Sequence, residues 1–350
     1  MSTRPEVLVA MSGGVDSSVA AAMLLEQGFA VTGVTMKLWG GDSDSGCCSV
    51  SDVDDARRVA DQLGIDHHVF NFGDDFDAHV VQPYVDAYAS GITPNPCIEC
   101  NRHLKFDRLL RRADALGFNM VATGHHARIV DVGGTRRMAR GADPLKDQSY
   151  VLYMLRQPEL ARILLPIGDI DKAGVRTLAA RLGLRTATKP DSQDVCFITA
   201  TGGREKFLGA RIPLRAGRIV DTAGNELGQV PAVELVTVGQ RKGLDLAGAG
   251  QRRFVVDVDV AAATVVVGSR ADLDRDRLML ANVVWSDSPV AGRCLVQCSA
   301  HGDPRPATVD VVDDDRVLVR WDEPQRRIAP GQSAVFYEGD TVLGGGIVQP

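Results

Sequence analysis

The sequence predicts an α/β protein in which a parallel-sheet domain is followed by a small β-rich domain and a β-barrel. Up to about residue 210, apolar strand candidates alternate with helical patterns, the order of a parallel sheet covered by helices on both faces. Beyond that point helical periodicity disappears, and short strands separated by Gly, Pro and Asp take over. A chain of 350 residues is long enough for two or three domains. We expect them at 1–210, 211–272 and 273–350.

The first domain opens with a regular strand–turn–helix pattern. The apolar run Val7–Ala10 predicts a buried strand, the Gly-rich segment Ser12–Ser17 a turn, and Ser17–Glu26 a helix with an apolar face. Ala30–Met36 predicts a second strand and Val53–Leu63 a second helix. This order favours parallel pairing of the strands.

The rest of the domain continues in the same manner. The further predicted elements are strands at His67–Asn71 and Asn119–Thr123, a helix at Asn101–Leu116, and helices at Ser149–Leu155, Pro158–Ile163 and Asp171–Leu182. Ligands of such sheets bind beyond the carboxyl ends of the strands, so Ala10–Ser17, Met36 and Gly124 should share one crevice.

The second and third domains are predicted from evenly spaced short strands. Gly217–Val238 is typical of a hairpin, and Arg253–Asp259 and Thr264–Val267 are joined by a loop. The later strands are predicted at Cys294–Ser299, Ala307–Val312, Arg316–Trp321, Ser333–Tyr337 and Thr341–Val348. Such spacing indicates a small barrel or sandwich at the end of the chain.

The turn after the first strand has the features of a phosphate-binding cradle. Its backbone N–H groups converge at a helix N-terminus, where the helix dipole favours an anion. Gly13 and Gly14 allow close approach because they lack a Cβ atom. No Lys follows the glycines, so this is not a Walker loop. The hydroxyls of Ser12, Ser17 and Ser18 suit a pyrophosphate, and Asp16 suits a Mg²⁺ ion that neutralises it.

This segment, SGGVDSS, resembles the PP-loop of the ATP pyrophosphatase superfamily. The resemblance implies cleavage of ATP between its α- and β-phosphates and attachment of AMP to an oxygen of the substrate. It also implies that residues 1–210 form an ATP-binding catalytic domain of the adenine nucleotide alpha hydrolase type.

Two cysteines lie in polar, proline-containing segments where functional residues are common. In GITPNPCIECNRHLKF, Cys100 is predicted just before a helix start, with Asn101 as the cap. A helix N-terminus lowers the pKa of a thiol and favours the thiolate. In ATKPDSQDVCFI, a loop of Pro, Asp and Ser precedes Cys196 and gives a sulfur carrier mobility. Cys294 and Cys298, at alternating strand positions, are interpreted as small buried hydrophobic residues.

Motifs along nearly the whole chain, from Val7 to Gln349, resemble the bacterial tRNA-specific 2-thiouridylase family. Besides SGGVDSS and Met36 they are TPNPCIECN with Lys105-Phe106, ATGHHAR, KDQSYVLY, DSQDVCFI, VGQRKGL and PGQSAVFY with GGGI. The resemblance implies ATP-dependent synthesis of 2-thiouridine at the wobble position of tRNA, with release of AMP and pyrophosphate. The three-domain fold of the family matches the division above.

The resemblance also implies roles for individual residues. ATP is held by Ala10, Met11, Ser12, Gly13, Gly14, Val15, Asp16, Ser17, Met36 and Gly124. The target base and tRNA contact Asn95, Pro96, Cys97, His125, Lys146, Asp147, Gln148 and Gln332. Cys100 is the nucleophile and Cys196 carries a persulfide, with a transient disulfide between them. The family often has Asp in place of Cys97 and an Arg-Tyr pair near Ser299–His301, so barrel contacts are not transferred.

The implied chemistry requires partners besides tRNA. ATP adenylates the C2 oxygen of uridine, because oxide is not a leaving group, and AMP leaves when sulfur attacks. A sulfur-relay protein or a cysteine desulfurase would load Cys196. Cys100 attacks the persulfide, releasing hydrosulfide or closing a disulfide, and a reductant reopens it.

RNA binding must use local basic patches because the net charge is −6. Arg102, Lys105, Arg108 and Arg112 recur at steps of three and four, on one face of the predicted helix. A target uridine must be flipped out of its stack to reach Cys100.

Three alternatives remain at this point. A PP-loop synthetase acting on a small molecule would share SGGVDS but would not need Cys100 and Cys196. A metal–sulfur protein would use Cys97, Cys100 and Cys196 as ligands of a 4Fe–4S cluster with one open iron. A non-catalytic RNA-binding module would leave the ATP cradle unexplained.

The short polar N-terminus and the lack of a long apolar run favour a cytoplasmic protein without a membrane segment. No role is predicted for Cys47 and Cys48.

Overall fold

The structure is a computed structural model that describes residues 4–38, 50–191, 195–244, 246 and 252–350. Cys47 and Cys48, and Ser192 of the segment before Cys196, lie outside the described residues. No helix of the described part of the chain is long and apolar enough to cross a membrane.

The elements up to residue 191 begin as alternating strands and helices, continue with a run of helices, and include one hairpin. In order they are β1 (Glu6–Ala10), α1 (Val15–Glu26), β2 (Ala30–Lys37), α2 (Val50–Leu63), β3 (His67–Asn71), α3 (Gly73–Phe76), α4 (Gln82–Ala89), α5 (Pro96–Glu99), α6 (Leu109–Ala115), β4 (Met120–Ala122), β5 (Ala127–Val132), β6 (Thr135–Arg140), α7 (Gln157–Leu160), β7 (Ile163–Leu164) and α8 (Lys172–Arg181). Wider π-helical turns at Asp77–Val81 and Cys100–Arg108 join α3 to α4 and α5 to α6. Short 3₁₀ turns lie at Ser149–Leu152 and Arg185–Thr188.

The predicted parallel sheet is confirmed, with strand order β3-β2-β1-β4-β7. Val7, Leu8 and Val9 of the central strand β1 are fully buried, because helices cover both faces of the sheet. Val7 and Val9 pack against α1, α2 and α8, whereas Leu8 packs on the side of the helices that carry Cys100. The central strand therefore anchors the phosphate cradle to both layers.

The remaining elements form two β-rich units. They are α9 (Cys196–Ala200), α10 (Arg204–Gly209), β8 (Gly217–Asp221), β9 (Glu226–Val230), β10 (Phe254–Asp259), β11 (Thr264–Gly268), β12 (Asp274–Trp285), β13 (Gly292–Gln297), β14 (Arg305–Val311), β15 (Val317–Arg326), β16 (Ser333–Glu338) and β17 (Thr341–Val348). Two further 3₁₀ turns lie at Val233–Leu235 and Ala271–Leu273. The middle unit is a sheet of order β10-β11-β8-β9.

The C-terminal unit is a closed antiparallel barrel, as the strand spacing predicts. Strands β12, β15, β14, β13, β16 and β17 follow one another, and the pairing of β12 with β17 closes the ring. The sequence reasoning missed the hairpin β5–β6, which turns at Gly133-Gly134 with positive φ at both residues. This hairpin joins the barrel through β6 and β17, so the first domain contributes strands to the sheet of the third.

The predicted start of the helix at Asn101 is wrong. Asn95 caps α5, its side chain accepting a hydrogen bond from Cys97 N at 3.1 Å, and Pro96 occupies the first turn. Proline is favoured there because its missing N–H has no partner within the helix anyway. Asn101 is buried inside the helix, where its amide donates to Val151 O at 3.1 Å. Cys100 therefore lies about one turn inside the helix rather than before it.

Candidate active site

One cavity of about 520 Å³ gathers most of the residues assigned to the site by sequence. Its lining includes the predicted residues Ala10, Met11, Ser12, Asp16, Ser17, Met36, Pro96, Cys97, Cys100, Gly124, His125, Lys146, Asp147, Gln148 and Cys196. Gly13, Gly14, Val15, Asn95 and Gln332 do not line it. A larger cavity, about 690 Å³, lies around His103 and Arg111 but contains none of these cysteines. The chemistry-bearing residues place the candidate site in the smaller cavity.

The phosphate cradle is packed too closely to accept larger residues. Gly13 has φ +73°, and a Cβ atom there would lie 2.2 Å from the carbonyl oxygen of Asp52. A Cβ atom on Gly124 would lie 2.6 Å from the backbone nitrogen of Ser17, at the N-terminus of α1. Ser17 Oγ accepts a hydrogen bond from Ser12 N at 3.2 Å. Both glycines and the serine hydroxyls thus shape a turn that fits the phosphates of ATP.

Asp16, the predicted Mg²⁺ ligand, contacts the side chains of Lys172 and His126. Lys172 Nζ donates to both carboxylate oxygens at 2.7 Å, and His126 Nε2 lies 3.2 Å from Oδ1. Burial raises the pKa of Asp16, but the hydrogen bonds from His126 and Lys172 outweigh it and lower the pKa below its usual value. The side chain of Lys172 is only 11% exposed, so its positive charge is directed into the site.

Asp191 extends this ion-pair chain toward the second cysteine segment. Its carboxylate lies 2.6 Å from Lys146 Nζ, 3.0 Å from Lys172 Nζ and 2.6 Å from Arg176 Nη2. Burial raises the pKa of Asp191, but the hydrogen bonds and charges of Lys146 and Lys172 outweigh it and hold the pKa below the usual value. Lys189, two residues earlier, donates to Gly13 O at 3.0 Å and so ties the segment before Cys196 to the phosphate cradle.

The three cysteines approach the cavity from two elements. Cys97 and Cys100 lie on successive turns of the helix capped by Asn95, and Cys196 is the first residue of α9. Val195, just before it, has φ +50°, a rare left-handed conformation for a β-branched residue. Within the described ranges, no three His, Cys, Asp or Glu side chains are grouped to hold a metal ion. The arrangement suits thiol chemistry at two separate positions.

His125 is a buried neutral imidazole at the cavity wall. Its Nδ1 lies 2.7 Å from Thr123 Oγ1. Burial, with the charges of Lys105 and His126, lowers the pKa of His125 well below its usual value. A neutral ring offers either a donor or an acceptor to a nucleobase without placing a charge beside it.

Gln148 fixes the loop that carries Lys146. The side-chain Oε1 of Gln148 accepts a hydrogen bond from the backbone N–H of His126 at 2.9 Å. The backbone N–H of Gln148 donates to the carbonyl oxygen of His126 at 2.9 Å. This pair of bonds places the loop beside the strand end that carries Gly124. Lys146, whose ammonium group lies in the ion-pair chain, is held at the cavity by the same loop.

Asp147 contacts its surroundings through an internal network. Its carboxylate accepts from Arg140 Nη1 at 2.9 Å, from Ser149 Oγ at 2.8 Å and from Gly141 N at 3.0 Å. The guanidinium of Arg140 also stacks over the ring of Tyr337 in the barrel at 3.9 Å. The network therefore joins the cavity loop to β16, and its polar groups are satisfied without RNA.

Gln332 also connects the barrel to the catalytic domain. Its amide donates to Thr93 O at 2.7 Å, on the segment that leads into Asn95 and Pro96. A Cβ atom on the neighbouring Gly331 would lie 2.3 Å from Ile92, so the two domains are in close contact there. Gln332 therefore fixes the backbone just before Asn95 and Pro96.

The four cations of the helix face that was predicted to bind RNA have different surroundings. Arg102 lies 3.4 Å from Glu99, Arg108 pairs with Asp75, and Arg112 stacks over the ring of Phe70 at 5.0 Å. Lys105, in contrast, lines the cavity. The four cations are therefore not equivalent.

Sequence reasoning missed Lys172 and its partner Asp191, and it did not transfer the family's barrel contacts to Ser299–His301, although Ala300 and His301 line the cavity. One signal could have found Lys172. It lies in the first turn of α8, capped by Asp171, where the helix dipole disfavours a cation. A lysine at such a position indicates a fixed anionic partner.

Comparison with known proteins gives consistent results along the chain. Residues 5–200 match the family described as tRNA methyl transferase HUP domain, residues 205–269 its PRC-barrel domain, and residues 275–348 the aminomethyltransferase beta-barrel domain. The chain is 48% identical to the tRNA-specific 2-thiouridylase MnmA of Roseiflexus castenholzii, over 97% of this chain and 98% of that protein. Identity to the MnmA of Chloroflexus aurantiacus is 49%, over 97% of each chain. For Carboxydothermus hydrogenoformans it is 46%, over 99% of this chain and 98% of the relative.

Proposed function

Because the chain belongs to the tRNA-specific 2-thiouridylase family, we propose that it replaces the C2 oxygen of the wobble uridine of tRNA with sulfur. The observation that carries the proposal is one cavity of about 520 Å³ lined by the phosphate cradle and by Cys97, Cys100 and Cys196. Such a cavity brings an ATP α-phosphate, a nucleobase and a sulfur carrier within reach of one another. Its size is typical of small-ligand sites. Residues 1–210 act in this proposal as the ATP-binding catalytic domain.

The first step is adenylation of the base. The C2 oxygen of uridine attacks the α-phosphorus of ATP, and pyrophosphate leaves. The N–H groups at the start of α1 and the ammonium of Lys172 offer positive charge where the leaving pyrophosphate gains negative charge. The neutral His125, Pro96 and Cys97 contact the base in the cavity, and Asn95 caps the helix that carries Pro96 and Cys97.

The turn after β1 offers one carboxylate, that of Asp16, to the predicted Mg²⁺ ion. Asp16 is the single acidic residue of the loop, and Lys172 contacts both of its oxygens. A Mg²⁺ ion there would depend on the phosphates of ATP and on water for its other ligands, as is common for this metal. When bound, it would neutralise phosphate charge.

The second step is sulfur transfer. A sulfur-relay protein or a cysteine desulfurase loads Cys196 as a persulfide, Cys196–S–SH. The thiolate of Cys100 attacks the Sγ atom of Cys196, which forms a Cys100–Cys196 disulfide and expels the terminal sulfur as hydrosulfide. Hydrosulfide displaces AMP at C2 and gives the thiocarbonyl. A two-electron reductant then reopens the disulfide.

The persulfide route is favoured over a 4Fe–4S cluster. A cluster with one open iron needs three thiolate ligands close together. No such group of three side chains occurs in the ranges that the structure describes. We therefore derive no step through a cluster.

Mass spectrometry of tRNA tests the proposed reaction. The protein is incubated with tRNA, ATP, Mg²⁺ and a persulfide donor, and the digested nucleosides are weighed. We expect one uridine to gain the mass of an oxygen-to-sulfur exchange, with one AMP formed for each. ATP cleavage with unchanged nucleosides would instead support a synthetase that adenylates a small molecule.

A further inference from the structure

Leu145 is an exposed apolar side chain at the edge of the active-site cavity. It is 83% exposed, the highest value among the large hydrophobic residues of the described part of the chain. Single exposed leucines are common on protein surfaces. The position of Leu145 distinguishes it, since it lines the cavity of the cysteines and Leu116 and Val132 do not. Deeper lining residues such as Tyr150 are 1% exposed, so Leu145 lies at the rim.

The turn that carries Leu145 is fixed by hydrogen bonds on both sides. Asp143 accepts from Leu145 N at 3.0 Å and from Lys172 N at 3.1 Å. Asp143 O accepts from Lys146 N at 3.1 Å, and the Lys146 ammonium lies 2.6 Å from Asp191. Asp147 follows, with its carboxylate in the internal network described above. The outward position of Leu145 is therefore held by its neighbours on both sides.

The surroundings of Leu145 match an RNA strand. Lys105 and Lys146 line the same cavity, and the side chain of Lys146 is 40% exposed, so positive charge is available there to a phosphate backbone. A uridine can enter the cavity only after leaving its base stack, which costs a few kcal/mol. Proteins that kink DNA through its minor groove frequently insert an apolar side chain between base steps and unstack them, and the same physical effect is available on RNA. Leu145 is the apolar group at the rim that can fill the space vacated by the base.

We propose that Leu145 inserts into the gap left by the flipped uridine and holds the flanking base unstacked. This inference rests on the proposed function, because it assumes a tRNA uridine in the cavity. It makes Leu145 a positioning residue that favours the open form of the RNA and does not contact the reacting atoms. Its loss should affect stacked substrates and spare substrates that need no unstacking.

The test uses tRNA with 2-aminopurine beside the target uridine, a base whose fluorescence rises when it loses a stacking partner. The parent protein should give this rise. Leu145→Ala should lose it and form 2-thiouridine about 10- to 100-fold more slowly, the factor expected from a few kcal/mol of unstacking. Leu145→Phe should retain both, and Leu116→Ala, an exposed leucine outside the cavity, is the matched control.

A second substrate separates insertion from a structural effect. On tRNA with abasic sites flanking the uridine, Leu145→Ala should match the parent rate. Parent-like fluorescence and rate of Leu145→Ala on stacked tRNA would overturn the inference, as would an equal loss on both substrates. If the parent forms no 2-thiouridine at all, the proposed function fails. The fluorescence difference between parent and Leu145→Ala still decides the role of Leu145.

Discussion

Lys172 Nζ lies 2.7 Å from both carboxylate oxygens of Asp16, so a lysine at the start of α8 neutralises the acidic residue of the phosphate cradle. The same ammonium group lies 3.0 Å from Asp191, close before Cys196 in sequence. Lys172 thus joins the turn after β1 to Asp191, in the segment that leads toward Cys196. A pyrophosphate formed in the cradle would compete with both carboxylates for this cation.

Removing the charge of Lys172 should block adenylation. Lys172→Met should lower tRNA-dependent pyrophosphate release about 100-fold, the usual cost of losing one stabilising donor at a developing charge. Asp16→Asn should also remove Mg²⁺-dependent release, and both variants should bind tRNA nearly as the parent does. Pyrophosphate release and tRNA binding are measured in parallel. Lys206→Met, at an exposed lysine of α10, is the control. Parent-like release by Lys172→Met would refute a role of this lysine in catalysis.

Substitutions of Cys196 and Cys100 should have different effects, because Cys196 is proposed to carry the sulfur and Cys100 to be the nucleophile. Cys196→Ser should lose sulfur loading but keep adenylation, and excess sulfide should restore some product because it bypasses the carrier. Cys100→Ser should accept a persulfide on Cys196 yet fail to transfer it. Labelled sulfur on the protein and 2-thiouridine in tRNA are the two measurements.

Cys97 decides between the persulfide and cluster routes. Cys97→Ser should lose activity only modestly if Cys97 lines the base pocket. Near-complete loss together with lost iron would favour the cluster. Cys294→Ser is the matched control, since burial raises the pKa of Cys294 to about 11 and it packs in the barrel away from the cavity. Activity retained in Cys100→Ser would contradict the whole relay.

Charge reversals on the basic helix should have unequal effects on tRNA binding. Lys105→Glu should weaken binding and lower the slope of log affinity against log salt by about 0.7 to 0.9 per lost phosphate contact. Arg112→Glu should have a smaller effect, because Arg112 stacks on Phe70. Titrations at several salt concentrations measure both. Equal losses of tRNA affinity in the two variants would indicate that all four cations of the helix face bind RNA to the same extent.

Asp147 should contribute to stability as well as to the cavity loop. Asp147→Ala leaves Arg140 without its buried partner and should lower the free energy of unfolding by about 3–5 kcal/mol. Asp303→Ala, which removes an exposed pair with Arg305 at 3.4 Å, should cost about 1 kcal/mol or less. Urea unfolding compares them. A stable Asp147→Ala protein that has lost tRNA binding would mean that the carboxylate acts directly on RNA.

Burial of neutral His125 should make stability depend on pH. Because the folded-state pKa of His125 lies well below its usual value of 6.5, the unfolded chain binds more protons as the pH falls through that value. Stability is therefore lost toward acid, and His125→Gln should reduce the difference in Tm between about pH 7.5 and pH 5.5. His301→Gln, at an exposed histidine, is the control. An unchanged pH dependence in His125→Gln would contradict the buried neutral state.

Features encoded by neighbouring residues were predictable from the sequence. The strand, the glycine turn and helix α1 follow one another within about twenty residues, so local dihedral preferences and apolar spacing were enough to predict the cradle. The helix that carries Cys100 was predicted, but its start was not. Asn95 and Asn101 are both possible caps, and the packing of Asn101 against Val151 decided between them.

By itself, the sequence predicted the alternation of strands and helices that favours a parallel sheet, the β-rich second half, the glycine turn after β1 and the two cysteine segments, because each of these patterns lies in contiguous residues. Only the tertiary structure decided that Lys172 meets Asp16, 156 positions away, and that Gln332 meets Thr93, 239 positions away. Residue type and spacing do not specify which distant charges pair, since that depends on how the strand ends converge. The phosphate cradle, the three cysteines and His301 therefore line one cavity only because the first and third domains pack against each other.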